Sequence, residues 1–495
     1  MFAVLSDITF NCVFHYYYNT KDPLSIVIME LKPREYQKKI LNLVLENEQS
    51  GYNSIIELDC GAGKRFLQHQ IVSEVFPDKK IIMIMQASTS LYETFRFFRE
   101  VYNFRDVELI DSRKPSSYRK HILETSRVVI TLPQTLYNSI SKHPLILKQF
   151  DIIIINEIDQ IVRRTGLGSS IKQPYIKLLP LFQHARIIGM SGTLRDDHYV
   201  LDSAQMKIKR ELESLQEHIP HSQLISMDEL VEDTDFQEYV NTTKLVLTGV
   251  RDDSISSLTM ELEAHIEEIK NSIIEDLADS NLQNRAKEDI QLLLSGTLNV
   301  DEQKQKKFSQ GFLVRKYLWA LPGEDAKIHL FRYGLDPKWV NQTIRAMPAK
   351  FRAIEQIVET SKKTVILCSF LATCDFLEQM FRVKGVETVK ITGKVNQHQR
   401  DDFLQQYRKT DRKMVAIISN VGERDLDLPE ADSLIIFDVI RTTKTVYQKL
   451  KRIRGGTCRI LYYAGTSEER KARQVANSIL SRYPWSIKLE YIETL

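Results

Sequence analysis

The chain has 495 residues, of which 43% are apolar and 27% are charged. This length and composition are typical of a globular protein with about three domains, each large enough to bury its own core. The formal net charge is only +3 at pH 7, so the chain is not uniformly basic. Any surface that binds nucleic acid must therefore be local.

Cysteine usage and hydropathy indicate an intracellular compartment, either cytoplasmic and nucleoid-associated or nuclear. No apolar run approaches about 18 residues, and the first residues lack a basic segment and include Asp7. We therefore expect neither an export signal nor a membrane span. A disulfide framework and a zinc site are also not expected, because no C-x-x-C pair occurs among the five cysteines Cys12, Cys60, Cys368, Cys374 and Cys458.

Residues 31–204 are predicted to form one α/β domain after a short N-terminal extension, residues 1–30, whose role is unassigned. A helix is predicted over about 31–48. Unbroken apolar runs such as 152–155 are typical of strands buried on both faces, so we expect a doubly wound, mostly parallel sheet. The predicted strands are 55–58, 81–85, 107–110, 128–131, 151–155 and 187–190.

The pattern changes in the middle of the chain and then returns. Over 205–345 apolar residues recur every three or four positions, most clearly from Ile255 to Leu277, which predicts a mainly helical insert. An acidic run at 228–235 and a basic run at 304–316 are expected to be solvated faces of this insert. A second α/β domain is predicted over 346–475, followed by a tail over 476–495. Its predicted strands are 364–367, 388–391, 415–418, 433–437 and 459–462.

A glycine-rich turn separates the first strand from the next helix. Its sequence is Gly61-Ala62-Gly63-Lys64-Arg65. Backbone N–H groups in such a turn bind an anion at the helix N-terminus, and the lysine adds charge for the outer phosphates. The turn alone is a weak signal, because a full phosphate loop has a glycine in place of Leu58 and a serine or threonine in place of Arg65.

Polar residues also follow other strands of this sheet. Asn156-Glu157-Ile158-Asp159 comes after the run 151–155, and Ser191-Gly192-Thr193 ends the next strand. Ligands in open α/β sheets lie at the carboxyl ends of the strands. We therefore expect Glu157 to face bound phosphates and to orient or deprotonate a water. The alternative is that Glu157 is a solvated residue at a strand end.

Together these motifs resemble those of superfamily 2 helicases, and most closely the Hef and Fanconi anaemia M branch of DNA translocases. The resemblance covers about residues 31–474, including the helical insert. It implies two RecA-like lobes with ATP and Mg²⁺ between them. It also implies that Glu157 and Lys64 are catalytic and that Asn156 stands at a metal position. The implied ATP-binding residues of lobe one are Gln37, which reads adenine, and Gly61, Ala62, Gly63, Lys64 and Arg65.

The resemblance extends to lobe two and to nucleic-acid contacts. Residues 419–427, S-N-V-G-E-R-D-L-D, are similar to the family pattern T-x-x-G-E-E-G-L-D, and residues 448–455 stand where Q-R-x-G-R-x-G-R is expected. This implies that Asp427 and Arg452 close the ATP cleft, with Asp427 as a nucleotide-binding residue and Arg452 as a catalytic one. The T-L-P-Q-T element and placement at strand ends imply that several polar residues contact nucleic acid: Ser88, Thr131, Gln134, Thr135, Thr392 and Ser419. The alternative is that these are plain loop residues.

The departures from the family pattern cluster around the phosphates and the metal. Arg65 replaces the loop Ser or Thr, and Asn156 replaces the first acid of the D-E-x-H box, so both expected protein ligands to Mg²⁺ are lost. Changes even in the outer shell of a metal cost ~10–100-fold. The last arginine of the final motif falls on Gly455, and an arginine finger is worth ~10³–10⁵ in rate. Arg65 placed near the phosphates would favour nucleotide binding without fast hydrolysis.

Three functional hypotheses remain open at this point. By resemblance, the chain is an ATP-dependent DNA helicase or translocase, an ATP hydrolase that acts on forked, branched or duplex DNA in repair. The loss of both metal ligands favours instead a catalytically degenerate, helicase-like scaffold that binds nucleic acid for a repair or nuclease partner. The third hypothesis is an RNA-directed relative, because a helical insert also occurs in RNA-sensing motors.

Overall fold

The structure is a computed structural model, and the predicted N-terminal extension lies outside the residues that it describes. The described residues are 32–59, 61–162, 173–194, 198–202, 205–240, 242–288, 290–294, 298–344, 347–395, 397–419, 431–438, 443–451 and 456–495. Two large sheets and a group of helices make up this part of the chain.

Lobe one is built on a seven-stranded parallel sheet in the order β3-β4-β2-β5-β6-β1-β9. Ile152 and Ile154 of β5 belong to one hydrophobic core and Ile153 and Ile155 to another, so the strand is buried on both faces as predicted. The strands are β1 (Asn53–Glu57), β2 (Ile81–Ile84), β3 (Val107–Ile110), β4 (Val128–Thr131), β5 (Ile152–Asn156), β6 (Arg186–Ser191) and β9 (Ser222–Ile225), with β7 (His198–Asp202) and β8 (Gln205–Lys209) as a separate antiparallel pair.

Helices connect the strands of lobe one. The longest α-helix of the lobe, α1, has 15 residues and buries Ile40, Leu41 and Val44. The α-helices are α1 (Glu35–Gln49), α2 (Lys64–Gln70), α3 (Ser88–Arg96), α4 (Ser116–Thr125), α5 (Pro133–Ile140), α6 (Tyr175–Leu178), α7 (Glu211–His218), α8 (Met227–Asp233) and α9 (Phe236–Tyr239). Shorter helical turns are Ile71–Val75, Phe97–Val101, Pro144–Gln149, Ile158–Ile161 and Leu179–Phe182.

Lobe two contains a second seven-stranded parallel sheet, in the order β12-β13-β11-β14-β15-β10-β16. The predicted fold class, two parallel-sheet lobes with a helical insert, is therefore confirmed. The strands are β10 (Thr243–Val250), β11 (Lys363–Cys368), β12 (Glu387–Ile391), β13 (Met414–Ser419), β14 (Ser433–Ile436), β15 (Thr457–Tyr463) and β16 (Ile487–Thr494). The α-helices are α16 (Ala349–Thr360), α17 (Leu371–Val383), α18 (Gln397–Lys409), α19 (Thr443–Leu450) and α20 (Ser467–Arg482).

Three strands of the two seven-stranded sheets lie outside the ranges that the sequence assigned to those sheets. β9 and β10 were expected within the helical insert, but β9 pairs with β1 of lobe one and β10 pairs with β15 of lobe two. β16 was expected in the tail, but it pairs with β10 along its length. A strand joins a sheet through its neighbours, and the partners of β10 lie more than 200 residues further along the chain.

The helical insert occupies the chain between β10 and α16. Its helices are α10 (Asp253–Glu275), α11 (Ser280–Glu288), α12 (Ile290–Leu294), α13 (Glu302–Ala320), α14 (Gly323–Tyr333) and α15 (Pro337–Thr343). α10 and α13 approach closely at Gly311, where an added Cβ would lie 2.5 Å from Cγ1 of Ile266. No helix in the described part of the chain is long and apolar enough to cross a membrane.

The acidic run does not lie in the insert as expected. It forms α8 and the residues after it in lobe one, where Lys39 Nζ lies 2.5 Å from Oδ2 of Asp233. The backbone N–H of Tyr36 donates to Oδ1 of Asp235 at 3.1 Å. The run therefore packs against α1, while Lys304 of the basic run remains in the insert and pairs with an aspartate there.

A buried ion pair joins the start of α16 to the start of α20 in lobe two. Lys350 Nζ lies 2.6 Å from Oε1 of Glu468 and also donates to the carbonyl oxygen of Phe437 at 3.2 Å. Both charged side chains are almost completely buried. Burial lowers the pKa of Lys350 and raises the pKa of Glu468, and the attraction between the two opposes both shifts.

We predict that Lys350→Met lowers the free energy of unfolding of lobe two by about 3–5 kcal/mol, because Glu468 is left buried without its cation. Urea denaturation measures this loss. The double variant Lys350→Met/Glu468→Gln should recover most of it. Lys327→Met, which breaks an exposed pair with Glu324, is the control and should change stability by at most about 1 kcal/mol. Equal losses for Lys350 and Lys327 would contradict the prediction.

Candidate nucleotide and nucleic-acid site

The glycine turn follows β1 and leads directly into α2. Gly61 and Gly63 have φ values of +86° and +81°, a region that favours glycine. An added Cβ at Gly63 would lie 2.7 Å from Nε2 of Gln37, so the second glycine is also required by close packing. The turn therefore presents its backbone N–H groups at the helix N-terminus, an arrangement that suits phosphate binding.

Gln37 lies directly against this turn. Its side chain is 5% exposed, accepts a hydrogen bond from the backbone N–H of Arg34 at 3.0 Å and donates to the hydroxyl of Tyr36 at 3.2 Å. The Tyr36 hydroxyl in turn donates to the carbonyl oxygen of Ala62 at 3.0 Å. α1 thus fixes the glycine turn, and the structure brings Gln37 and the turn together.

Lys64 is the first residue of α2, and its side chain points back toward the end of β1. Its Nζ donates to the carbonyl oxygen of Leu58 at 3.0 Å and to that of Asp59 at 3.5 Å. The ammonium group therefore lies beside the turn whose backbone would hold phosphates. The glycines, the helix N-terminus and the lysine together fit the triphosphate of a nucleotide.

The two positions expected to hold Mg²⁺ carry other contacts. The guanidinium of Arg65 is paired with Glu93 of α3. Asn156 accepts a hydrogen bond from Nε2 of Gln68 at 3.2 Å and donates to the hydroxyl of Ser90 at 3.4 Å. Mg²⁺ is held by anionic or water oxygens in an octahedron, so a guanidinium and an already bonded amide do not fit it. The side chains of Arg65 and Asn156 therefore do not fit Mg²⁺.

Glu157 follows β5 in an uncommon backbone conformation. Its φ and ψ are 50° and 54°, the left-handed region that non-glycine residues rarely adopt. The next residue, Ile158, packs into space provided by Gly189 of β6, where an added Cβ would lie 2.0 Å from Cδ1 of Ile158. Such backbone strain clusters at functional sites, which supports a specific role for the position of Glu157.

Asp159 connects the same segment to the end of β6. The Ser191 hydroxyl donates to Oδ1 of Asp159 at 2.7 Å and lies 3.0 Å from the carbonyl oxygen of Thr193. All three residues are buried. The ends of β5 and β6 are thus linked. Asp427 and Arg452, the predicted contributions of lobe two, lie outside the described residues.

The predicted nucleic-acid residues lie in two groups at the carboxyl ends of neighbouring strands. Ser88 follows β2, and Gln134 follows β4. Both are exposed, and β2 and β4 are adjacent in the sheet. Thr131 and Thr135 lie beside them, and Thr392 and Ser419 lie at the ends of the adjacent strands β12 and β13, but these four side chains are buried. Ser88 and Gln134 are therefore the accessible members.

Sequence reasoning missed the charged residues that surround the end of β1. Oε1 of Glu57 accepts a hydrogen bond from the backbone N–H of Leu194 at 2.8 Å and lies 3.5 Å from Arg482 of lobe two. Burial raises the pKa of Glu57, an effect that Arg482 opposes. Asp59 is equally buried and contacts Lys451. The sequence did contain a signal for these buried charges, namely two carboxylates in the otherwise apolar run I-I-E-L-D.

Comparisons with known proteins agree with this architecture. The family model described as the res subunit of type III restriction enzymes matches residues 30–196, and the helicase conserved C-terminal domain matches residues 349–456. The DEAD-box ATP-dependent RNA helicase 35B of Oryza sativa subsp. japonica is 24% identical over 151 residues, 30% of this chain and 22% of that protein. Helicase 29 of Oryza sativa subsp. indica is 26% identical over 117 residues, 23% of this chain and 14% of that protein. The match thus spans less than a quarter of either relative.

Solved structures show the same fold. The Hef helicase domain of Pyrococcus furiosus has a TM-score of 0.59 at 15% identity, covering 89% of this chain and 98% of that one. Dbp5 of S. cerevisiae, bound to RNA and ADP BeF3, has a TM-score of 0.53 at 14% identity, covering 93% and 90%. The two sheets and the glycine turn thus define a two-lobed, RecA-like protein of the helicase type. The matches to the two domain models support a superfamily 2 helicase, and the fold is similar to that of the Hef helicase domain.

We predict that Gly63→Ala weakens binding of a fluorescent ATP analogue by at least ~10-fold. The substitution combines left-handed strain of about 1–2 kcal/mol with a clash against Gln37. Gly465→Ala in lobe two is the matched control, because Gly465 has a φ of +76° but open space around its Cβ position. The control should lower stability slightly and leave affinity unchanged. Equal affinity for both variants would show that the turn does not hold the nucleotide.

Proposed function

We propose that this chain is a helicase-type protein that binds ATP and forked or branched DNA but hydrolyses ATP slowly, and that it serves as a scaffold for a repair or nuclease partner. The observation that carries the proposal is the state of the two metal positions. Arg65 is paired with Glu93, and Asn156 is bonded through its amide to Gln68 and Ser90. Neither position offers an anionic oxygen.

Nucleotide binding is supported by the parts of the site that remain suited to it. The backbone of Gly61, Ala62 and Gly63 is fixed by α1, and Lys64 lies beside it. Gln37 is positioned against the same turn, where it would read adenine. Arg65 is half-exposed, so its guanidinium can leave Glu93 for the outer phosphates at little cost. Asp427 and Arg452 are proposed to contact the nucleotide from lobe two.

Nucleic-acid binding is supported by accessible polar side chains and a local concentration of positive charge. Ser88 and Gln134 are exposed at adjacent strand ends of lobe one. Residues 441–473 carry ten lysines and arginines along the sequence, on a chain whose formal net charge is only +3. Lys444, Lys449 and Lys451 are buried, so the support comes from the other seven, of which Arg470 is exposed. Such a zone attracts the phosphates of a nucleic acid. DNA is proposed from the similarity of the sequence motifs and the fold to Hef; duplex RNA is the alternative that the binding experiment tests.

An active, ATP-driven DNA translocase is the second candidate, and a specific observation favours it. Lys64 lies at the glycine turn, and Glu157 is held in a strained backbone conformation at the end of β5. These are the positions from which a phosphate would be bound and a water oriented. In this candidate the replaced metal positions are tolerated, and nucleic acid stimulates turnover.

We predict that the affinity of wild-type protein for a fluorescent ATP analogue changes less than ~3-fold between EDTA and Mg²⁺. The variant Arg65→Thr/Asn156→Asp, which restores a hydroxyl and a carboxylate at the two metal positions, should gain at least ~10-fold in affinity from Mg²⁺. Lys64→Ala is the control that should weaken binding under both conditions. A wild-type affinity that requires Mg²⁺ would contradict the proposed loss of the metal site.

The hydrolysis experiment separates the two candidates. Phosphate release is measured with and without forked DNA for wild type, Lys64→Ala and Glu157→Gln. The scaffold predicts no turnover of wild type above the two variants, while DNA is still bound. DNA-stimulated turnover that both substitutions abolish would establish the translocase and overturn the scaffold.

We predict that the protein binds forked DNA more tightly than blunt duplex DNA or duplex RNA of matched length, as measured by fluorescence anisotropy. Gln134→Ala and Ser88→Ala should each weaken binding by about 5-fold, the loss expected for one backbone contact. Gln183→Ala is the matched control, because this exposed glutamine precedes β6 at the opposite, amino end of the sheet. Tighter binding of duplex RNA would replace DNA with RNA as the substrate class.

A further inference from the structure

A lysine of lobe two is buried between two carboxylates of lobe one. Nζ of Lys444, on α19, lies 2.5 Å from Oδ2 of Asp159 and 2.9 Å from Oε2 of Glu211. The three side chains are 5%, 6% and 1% exposed. Asp159 follows β5 and Glu211 begins α7, so one cation ties two separate segments of lobe one to lobe two.

A second buried pair reaches the segment just before the glycine turn. Nζ of Lys451 lies 3.2 Å from Oδ2 of Asp59, and the two side chains are 3% and 1% exposed. The hydroxyl of Ser486, which precedes β16, donates to the same carboxylate oxygen at 3.2 Å. Lys451 occupies the fourth position of the Q-K-L-K-R-I-R-G segment, where the family pattern Q-R-x-G-R-x-G-R has a glycine. The lysine that contacts Asp59 is therefore a departure of this chain from the family pattern.

Uncharged contacts continue the interface beside these pairs. The hydroxyl of Tyr483, which follows α20, is hydrogen-bonded to that of Thr193. The Tyr483 ring stacks on that of Tyr447 with centroids 3.8 Å apart. Tyr447 and Tyr483 belong to one connected core of buried residues that also includes Ile56 and Phe66 of lobe one. The two lobes thus share a hydrophobic core as well as matched charges.

These contacts make closure depend on the lysines. A carboxylate buried without a cation is strongly unfavourable, whereas the same group in water is not. Asp59, Asp159 and Glu211 would become hydrated if the lobes separated. Loss of a lysine therefore removes attraction from the closed arrangement alone, which shifts the balance toward open lobes.

We propose that Lys444 and Lys451 form a latch that holds the two lobes closed without nucleotide, so that nucleotide binding is not what brings the lobes together. This inference goes beyond the proposed function and does not depend on the nucleic acid bound or on the rate of hydrolysis. The latch consists of the pairs Lys444 with Asp159 and Glu211, and Lys451 with Asp59. The two lysines are positioning residues, because they hold lobe two against the carboxylates of lobe one.

Small-angle X-ray scattering of the full chain, with and without ATP, tests the latch. Wild type is expected to keep one radius of gyration under both conditions. Lys444→Met and Lys451→Met should each increase it by ~2 Å, about a tenth of the value for a compact chain of this length. A wild-type protein that becomes compact only with ATP, or variants that stay compact, would overturn the proposal.

A matched control and a rescue variant distinguish opening from unfolding. Lys390→Met removes a lysine paired with Asp375 and Glu378 within lobe two, and it should leave the radius of gyration unchanged. Lys444→Met/Asp159→Asn/Glu211→Gln removes the cation together with both carboxylates, so the closed dimensions should return. Circular dichroism reports whether each variant retains its secondary structure. Failure of the triple variant to close while its helix content stays that of wild type would also count against the latch.

Discussion

Neutralisation of buried carboxylates between the lobes is the constraint on which the rest of the structure depends. Asp59, Asp159 and Glu211 belong to lobe one, but their cations Lys444 and Lys451 belong to lobe two. Because a carboxylate buried without a cation is costly, the lysines of α19 and of the residue after it favour the burial of these acids in the interface. The lobes are therefore matched in charge as well as in shape, and the pair of Asp59 with Lys451 lies next to the glycine turn.

The sequence was sufficient for the sheets wherever strand formation is a local property. Runs such as the four isoleucines of β5 are apolar without interruption, and their burial on both faces follows from that alone. β10 and β16 were missed for a different reason. β10 is buried along almost its whole length and lies between β15 and β16, but it directly precedes the helices of the insert and was grouped with them. β16 is an edge strand that exposes Tyr491 and Ile492, so it lacks the pattern of a central strand. Their place in lobe two is set by pairing across long sequence separations.

The candidate site was predictable where a motif fixes both residue type and spacing. The glycine turn was located from its own residues and spacing, Glu157 from its place after a buried strand, and Gln37 from the resemblance to the family pattern. The partners of the charged residues were not predictable. Lys444 and Asp159 are 285 positions apart, and the sequence shows two charges without showing that they meet. The pairing of Arg65 with Glu93 was hidden for the same reason, although the loss of a hydroxyl at that position was visible.

The replaced metal positions and the lysine pairs both concern the source of positive charge near the nucleotide site. If the cation that neutralises the carboxylates arrives with the nucleotide, the two lobes close only when nucleotide is bound. A lysine fixed in the chain neutralises a carboxylate whether or not nucleotide is bound. Here Arg65 and Asn156 remove the ligands for a mobile cation, and Lys444 and Lys451 supply fixed ones to Asp159 and Asp59. Under the proposed latch, closure does not require the energy of nucleotide binding, which agrees with the proposed scaffold rather than with a motor.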